Sequence, residues 1–279
     1  MDKIAVEQSP EISISVVSNA QIQLIECMLN YINQHCRALL IELILTLNLD
    51  EILPFAADSF VFPIKVIRNP IPMGFATNHN QAFTYAEGRF FCVMNPDIRL
   101  NGDPFKVLLT CLQDSAVGVA APLVLGTGGE IEDSARRFPT HLKIFCKAFG
   151  RCKGSGYLVR DNPIFPDWVG GMFMLFPRDV FKKPGGFDQQ YFFYYEDVDL
   201  CARLRLKGCE VAICTDVKVI YLARRSSHHS FKYLKWHIMS MMQFFCSFLF
   251  LKIFWLHLTK KLHEQMCDRA MNATQLSHA

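Results

Sequence analysis

Short apolar runs alternate with longer, mixed segments over most of the chain. The runs are rich in Ile, Val, Leu and Phe, and this pattern predicts buried β-strands. They lie at residues 12–17, 39–45, 64–67, 90–94, 117–121, 173–176 and 211–213. Because helical or loop segments separate the runs, we predict an α/β fold with a doubly wound, mostly parallel sheet.

The regular pattern stops in two places. Residues 126–167 hold Gly-rich turns, a basic SARRFP sequence and a KGSG loop, and long irregular segments often contact substrates. Residues 231–262 are densely apolar, with lysines near both ends, and are interrupted by Gln243, Lys252 and His257. A spanning helix needs about 20 predominantly apolar residues. We therefore expect a helix lying on a membrane surface. The alternatives are a helix that forms a homodimer or packs on the core, and a true span.

Composition is consistent with one large domain. The chain has 279 residues, and 51% of them are hydrophobic, which is enough for one large α/β core. We predict this domain at residues 1–230 and an appended helical segment at residues 231–279. A net charge of only +3, without basic runs interleaved with aromatics, argues against nucleic-acid binding. The first residues lack the apolar stretch of a signal peptide, so we expect a cytoplasmic protein.

Two acidic residues are the strongest candidates for catalysis. Glu196 and Asp197 follow the aromatic run at 191–195, at the predicted start of a helix, where the helix dipole stabilises negative charge. A carboxylate fixed beside buried aromatic rings is suited to act as a base. The alternative is an ordinary acidic helix start, in which Asp199 and Arg203 form an i, i+4 pair.

A second candidate site follows the apolar run at 90–94. Asp97 ends an Asn-Pro-Asp sequence just past this run, and ligands of open parallel sheets bind beyond the carboxyl ends of the strands. An acid in this place is suited to hold a metal ion. The alternative is a turn that caps a helix beginning near Asp103. Residues 72–80, PMGFATNHN, precede a helical pattern and are suited to contact a phosphate or a ribose.

In this order, the segments resemble the family 2 glycosyltransferases of the GT-A fold, most closely their bacterial rhamnosyltransferase-like branch. The blocks that carry the resemblance are ISISVVSN, GFATNHNQA, VMNPD, WVGGMFMLFPRDVF, GGFD and YYEDVDLCARL, which begin at residues 12, 74, 93, 168, 185 and 194. The resemblance implies an inverting glycosyltransferase that uses a nucleotide-diphosphate sugar, rhamnose or another deoxysugar by analogy. Its acceptor would be a glycan or a lipid-linked sugar in cell-surface polysaccharide synthesis.

The resemblance also implies roles for single residues. Asp197 matches the catalytic base, and Glu196 would orient the acceptor or hold Asp197 in position. Asp97 matches the last acid of the family's metal-binding motif, in which Asn95 replaces the usual first acid, so the expected ion is Mg²⁺ or Mn²⁺. The expected donor-binding residues are Asn19, Gly74, Asn80, Asn95, Asp97, Arg224 and Arg225. The expected acceptor-binding residues are Trp168, Gly170, Gly171 and Asp188.

Some residues depart from the family's pattern. Tyr221 stands where a metal-ligating histidine is usual, and a phenol is a poor ligand for a hard cation at neutral pH. The family's nucleobase-contacting acid falls near Leu47, which leaves Asn48 or Asp50 as substitutes. These departures keep a second function open, namely a catalytically silent GT-A domain that serves as a scaffold in a glycan assembly complex.

Three further side chains have two interpretations each. Trp168 either stacks on a sugar or fills the core. Arg224 and Arg225 either neutralise the donor diphosphate or lie in a solvated loop.

If the acceptor is lipid-linked, attachment through the C-terminal helix would place the protein at the inner face of the cell membrane.

Overall fold

The computed structural model describes residues 9–132, 134–138, 162–222, 231–256 and 258–259. Its centre is an eight-stranded sheet, and β7 pairs with β8 in a separate two-stranded sheet. The strands are β1 (Ile12–Ser18), β2 (Ile41–Leu47), β3 (Ile64–Arg68), β4 (Phe90–Met94), β5 (Ile98–Leu100), β6 (Val117–Leu125), β7 (Ala135–Arg136), β8 (Trp168–Val169), β9 (Phe173–Pro177) and β10 (Glu210–Tyr221).

Helices cover both faces of the large sheet. They are α1 (Ile22–His35), α2 (Phe75–Tyr85), α3 (Phe105–Cys111), α4 (Arg178–Lys182), α5 (Glu196–Leu206), α6 (Phe231–Phe245) and α7 (Phe248–Leu256). α1 shows why they pack as they do, since its buried residues Ile25, Met28, Leu29 and Ile32 recur at the spacing of one helix face. One core cluster joins α1 and α3 to the sheet. A second joins α2, α4 and α5 to the opposite face.

The strand order is β3-β2-β1-β4-β9-β6-β10-β5. The predicted α/β architecture with a mostly parallel sheet is confirmed, but the sheet is mixed. β9 runs antiparallel to β4 and β6, and β5 runs antiparallel to β10. β9 begins beside the end of β4, since Phe173 pairs with Met94. The carboxyl ends of the parallel strands and the start of β9 therefore share one edge, which we call the carboxyl edge.

The C-terminal segment differs from the single helix expected there. It forms α6 and α7, which meet at an angle of 65°. Ser247 sits at the break, where its Oγ accepts a hydrogen bond from Phe250 N at 3.1 Å and caps α7. Within the described residues, neither helix alone has the length and apolar character to cross a bilayer, and the bent pair reaches them only when joined.

At the opposite edge of the sheet, a buried carboxylate ties three strands together. Glu42 on β2 is 2% exposed. Its Oε1 accepts hydrogen bonds from Ser13 Oγ at 2.5 Å and Glu87 N at 2.6 Å, and its Oε2 lies 2.9 Å from Lys65 Nζ. Burial acts to raise the pKa of Glu42, but the hydrogen bonds and the Lys65 charge together lower it below its ordinary value. The carboxylate is therefore charged and stabilising at neutral pH.

We expect Glu42→Gln to lower the free energy of unfolding at neutral pH by about 2 kcal/mol, because Lys65 loses a buried partner. Since the folded-state pKa is lowered, this stabilisation is complete above the ordinary value of 4.5 and is lost as the pH falls through the folded-state pKa. Urea unfolding at several pH values measures the difference.

The control is Glu87→Gln, which removes the exposed partner of Lys65 and should cost less than about 1 kcal/mol. A difference between wild type and Glu42→Gln that stays constant from neutral to acid pH would show that Glu42 is not charged in the folded protein.

Candidate active site

An asparagine follows each of β1 to β4 at the carboxyl edge, and three of the four form a chain. Asn48 Nδ2 donates to Asn19 Oδ1 at 3.2 Å, and Asn69 Nδ2 donates to Asn48 Oδ1 at 2.9 Å. Asn48 also bonds to the backbone N and O of Met73, just before α2. Neutral amides thus link the ends of three strands to the start of a helix, in the place where parallel sheets bind ligands.

This network also locates the two substitutes for the nucleobase-contacting acid. Leu47 is fully buried in the core and Asp50 is exposed, whereas Asn48 lies inside the network. Asn69 Nδ2 extends the network to Asn78 Oδ1 on α2, at 2.6 Å. Asn78 lies in the predicted segment 72–80, whereas Asn69 was not predicted as a site residue. The missed signal for Asn69 is the repeated pattern of an apolar run that ends in asparagine.

The aromatic run at 191–195, here called the aromatic loop, meets the start of α2 at Gly74. Phe75 N donates to Phe192 O at 3.1 Å, and a Cβ on Gly74 would collide with the same oxygen. Asn80 is engaged elsewhere, because its Nδ2 donates to Phe187 O at 2.7 Å and its Oδ1 accepts from Phe187 N at 2.9 Å. Its expected contact with a donor stays a prediction.

Asp97 lies in a β-turn at the carboxyl edge. Ile98 N donates to Asn95 O at 3.3 Å and closes the turn, and Asn95 N donates to Met172 O at 2.9 Å just before β9. Leu222 N donates to Asp97 O at 2.9 Å, so the end of β10 also holds the turn. The Asp97 side chain is 6% exposed. It is therefore fixed by three elements of the sheet.

Tyr221 ends β10 beside this turn, opposite Ile98. Burial, followed by the negative charges of Asp97 and Glu132, raises the pKa of the Tyr221 phenol. The phenol is therefore neutral at physiological pH, and it lies near the Asp97 carboxylate. In the part of the chain that the structure describes, no group of three His, Cys, Asp or Glu side chains is placed to hold a metal ion. Mg²⁺ and Mn²⁺ commonly complete their ligand shell with oxygen atoms of a bound molecule.

Asp197 reaches the carboxyl edge from the first turn of α5. Its Oδ2 accepts a hydrogen bond from Gly171 N at 2.9 Å, and its Oδ1 accepts one from Val198 N at 2.8 Å. Gly170 N donates to Ser134 O at 3.0 Å, which fixes the glycine pair. The predicted helix start at Glu196 and Asp197 is confirmed.

Burial sets the protonation of this acidic pair. Glu196 is 6% exposed, and its Oε2 has no hydrogen-bond partner among the described residues. Burial, and then the charge of Asp197, raise the pKa of Glu196 well above its ordinary value. Burial also raises the pKa of Asp197, but the Gly171 and Val198 amides and the Arg136 charge oppose it. Burial thus raises the pKa of both carboxyl groups, and the hydrogen bonds to Asp197 favour the negative charge on Asp197 over Glu196.

The aromatic loop that precedes Glu196 and Asp197 has an unusual backbone. Tyr194 and Tyr195 have φ angles of 71° and 69°, in the left-handed region that residues with a side chain rarely adopt. Each costs on the order of 1–3 kcal/mol and persists only when the surrounding structure holds it. α6 packs against this loop and supplies part of that support.

Trp168 and Arg136 flank the glycine pair. Trp168 Nε1 donates to Arg137 O at 3.2 Å, and the Arg136 guanidinium lies 5.3 Å from the centre of the indole ring. Trp168 also packs on two core clusters, so it both fills space and borders the site. Arg136 was not predicted as a site residue, and the signal for it was the basic SARRFP sequence.

Asp188 lines a cleft with residues other than Glu196 and Asp197. It borders a cleft of about 460 Å³ together with Asp199, Arg203 and Gln243. Arg203 Nε binds Asp199 Oδ1 at 2.5 Å, which confirms the predicted i, i+4 pair. Asp197 and Asp199 are two positions apart and so project from different sides of α5.

Arg224 and Arg225 fall outside the described residues.

Two proteins with assigned functions are similar to this chain. Rhamnosyltransferase WbbL of Escherichia coli (strain K12) is 28% identical over 180 residues, which cover 60% of this chain and 68% of that protein. The N-acetylglucosaminyl-diphospho-decaprenol L-rhamnosyltransferase of Mycobacterium tuberculosis is 30% identical over 126 residues, which cover 42% of this chain and 41% of that protein. The chain thus spans less than half the length of the mycobacterial relative.

Solved structures share the fold. GalNAc-T7 with UDP, GalNAc and Mn²⁺ has a TM-score of 0.60 and 14% identity, over 78% of this chain and 45% of that chain. Mannosyltransferase PcManGT from Pyrobaculum calidifontis, in complex with GDP-Man and Mn²⁺, has a TM-score of 0.56 and 16% identity, over 80% of this chain and 60% of that chain. These neighbours establish the GT-A fold, as predicted.

The family described as "Glycosyltransferase like family 2" matches residues 16–237. This range covers most of the chain, both candidate carboxylate sites and the start of α6. The protein therefore belongs to this glycosyltransferase family.

Proposed function

We propose that the protein is an inverting glycosyltransferase that moves rhamnose or another deoxysugar from a nucleotide-diphosphate donor to a glycan or lipid-linked acceptor of a cell-surface polysaccharide. The observation that carries the proposal is the pair Glu196 and Asp197, held at the start of α5 against Gly171 at the carboxyl edge. The choice of sugar rests on the relatives, since both are named as rhamnosyltransferases.

Inversion requires a single in-line displacement at the anomeric carbon of the donor. The acceptor oxygen forms the new bond, the bond to the diphosphate oxygen breaks on the opposite face, and the acceptor proton passes to a base. Asp197 is that base in our proposal. Its raised pKa makes it a stronger proton acceptor than a solvated carboxylate, while two backbone amides keep it ionised.

Glu196 has a different role because it is neutral. A protonated carboxyl group has a hydrogen to donate, and its Oε2 has no partner within the described residues. It is therefore suited to orient the acceptor hydroxyl or to hold Asp197 in position. When Glu196 is neutral, no second negative charge lies beside the Asp197 carboxylate.

The donor side lies along the asparagine network. Asn19 and Asn48 offer neutral donors and acceptors for a nucleobase or a ribose, Gly74 leaves room for close backbone approach, and Asn95 lies beside Asp97. Asp97 supplies one carboxylate, which suits Mg²⁺ or Mn²⁺, since such ions often take few protein ligands and complete their shell with substrate phosphates. When bound, the ion would neutralise charge on the departing diphosphate.

The acceptor side is formed by Trp168, Gly170 and Gly171, with the Arg136 guanidinium over the indole. We assign Asp188 a more distant part of this surface, because it lies with Asp199 and Arg203. Arg224 and Arg225 remain candidates for the diphosphate.

In this proposal, the domain at 1–230 carries the chemistry of a cytoplasmic protein. The segment at 231–279 attaches it peripherally to the inner face of the cell membrane. The rival function, a catalytically silent scaffold, is favoured by one observation, namely that Tyr221 occupies the place of the family's histidine and lies near Asp97. The variants below separate the two functions.

We expect Asp197→Asn to reduce transfer by at least about a thousandfold, because it removes the proton acceptor and keeps the shape. Loss of one acceptor for a backbone amide is offset by loss of a buried charge, so the free energy of unfolding should stay within about 1 kcal/mol of wild type. Transfer assays with a nucleotide-sugar donor and urea unfolding measure the two effects. Transfer within about tenfold of wild type would remove Asp197 from this role.

The pH profile gives an independent check. Because the pKa of Asp197 is raised above its ordinary value of 3.8, transfer should fall as the pH drops through that higher pKa. Glu196→Gln retains the neutral form and should keep transfer within about tenfold of wild type. Asp199→Asn, on the same helix but paired with Arg203, is the control and should leave the pH dependence unchanged. A larger loss from Glu196→Gln than from Asp197→Asn would reverse the assignment.

We expect Asp97→Asn to weaken donor binding more in the presence of Mn²⁺ than in its absence, because a neutral amide is a poorer cation ligand. Tyr221→His should strengthen binding with Mn²⁺ by adding a nitrogen ligand, whereas Tyr221→Phe removes the phenol without adding one. Calorimetry with UDP-, dTDP- and GDP-sugars, with and without Mn²⁺, measures these effects and identifies the nucleotide. A wild-type transfer rate that is unchanged by a chelator would contradict the metal assignment.

A further inference from the structure

α6 and α7 have apolar residues on two sides. On the inward side, Phe244, Phe250 and Ile253 are buried in a cluster with Tyr191 and Val198 of the catalytic domain. An ordinary surface helix presents polar residues on its other side. These two helices expose large apolar residues there as well.

Their outward face is apolar and exposed. It includes Phe231, Ile238, Met242, Phe248, Leu251 and Trp255. Phe248 is 83% exposed and Leu251 is 50% exposed. An exposed apolar face of this extent on two successive helices marks an interaction surface.

The charge on these helices favours an anionic lipid surface as the partner. Residues 231–262 contain no Asp or Glu but five lysines, at positions 232, 235, 252, 260 and 261. Lys235 and Lys252 are exposed on α6 and α7. An apolar face bordered by cations and tryptophan complements a bilayer surface with anionic headgroups. A second copy of the same face would carry the same positive charge and would repel it.

The inward side of α6 packs against the aromatic loop. The Trp236 ring lies 4.8 Å from that of Phe192, centre to centre, and Ser240 Oγ donates to Phe193 O at 2.8 Å. The His237 ring lies 5.1 Å from that of Tyr194. The helix thus contacts the loop immediately before Glu196, including both tyrosines with left-handed backbone.

We infer that α6 and α7 form a membrane-docking strut, whose outward face binds an anionic lipid surface and whose inward side holds the aromatic loop. Contact with lipid buries the outward apolar residues that water would otherwise surround. This burial stabilises α6 in its place against the aromatic loop, whose left-handed residues depend on that packing. Membrane attachment through this segment rests on the proposed function, and the inference adds the face that binds, the charge of the lipid and the support of the aromatic loop.

The first test is flotation of the full chain with phosphatidylcholine vesicles, with and without phosphatidylglycerol. Phe248→Glu combined with Leu251→Glu should reduce partitioning into the anionic vesicles by about a hundredfold, roughly tenfold for each side chain. The matched control, Leu40→Glu combined with Val61→Glu, places the same charges on exposed apolar residues of the catalytic domain and should float like wild type. Omission of phosphatidylglycerol should weaken binding by about fivefold for each lysine at the surface.

The second test locates the contact. Trp255 is exposed on the outward face, whereas Trp236 packs on the aromatic loop. Vesicles with brominated acyl chains should quench the fluorescence of wild type, and Trp255→Phe should remove most of the quenched signal. Hydrogen exchange of the amides at 192–195 should slow by about tenfold on anionic vesicles in wild type and in the control, but not in the Phe248, Leu251 double variant.

Flotation or quenching that the double variant leaves unchanged would overturn the proposal. So would a dimer that becomes a monomer by light scattering in the double variant, without lipid binding by wild type. Unchanged hydrogen exchange on vesicles would overturn the coupling to the loop. None of these measurements needs transferase activity, so a failure of the proposed function would appear only in the transfer assays.

Discussion

The site depends on one close backbone approach, at Gly74. The hydrogen bond from Phe75 N to Phe192 O joins the helix that follows the asparagine network to the loop that precedes the acidic pair. A side chain at residue 74 would occupy the position of that oxygen, and the loop would have to move away. The proposed donor side and the proposed base are thus brought together by the absence of a single Cβ atom.

The pKa of a buried acid is shifted in opposite directions at the two edges of the sheet, the carboxyl edge and the amino edge opposite to it. At the amino edge, Glu42 has hydrogen bonds and a lysine partner, so its pKa is lowered and its charge stabilises the fold. At the carboxyl edge, Glu196 is equally buried but has an oxygen without a partner among the described residues, and its pKa is raised. The carboxyl edge, where we propose the chemistry, thus contains a buried acid that lowers the stability of the fold, as is common for functional sites.

Much of this arrangement could be predicted from sequence. Apolar runs predict seven strands that overlap observed ones, and they place Asp97 just past β4 at the carboxyl edge. The local charge pattern predicts the helix start at Glu196. The antiparallel direction of β9 could not be predicted, because an apolar run identifies a strand without giving its direction. The position of Tyr221 beside Asp97 depends on pairing between β5 and β10, two elements far apart in the chain. The break at Ser247 falls inside a continuous apolar stretch, where periodicity alone contains no signal for a bend.

The packing of α6 on the aromatic loop bears on how the protein can be handled. A shortened chain that ends before Phe231 would uncover Tyr191 and Val198 and remove the hydrogen bond from Ser240 to the loop. Such a truncation would change the geometry of the acids as well as solubility. A soluble form suited to crystallisation should instead keep both helices and replace only outward residues such as Phe248, because their side chains contribute little to the interior.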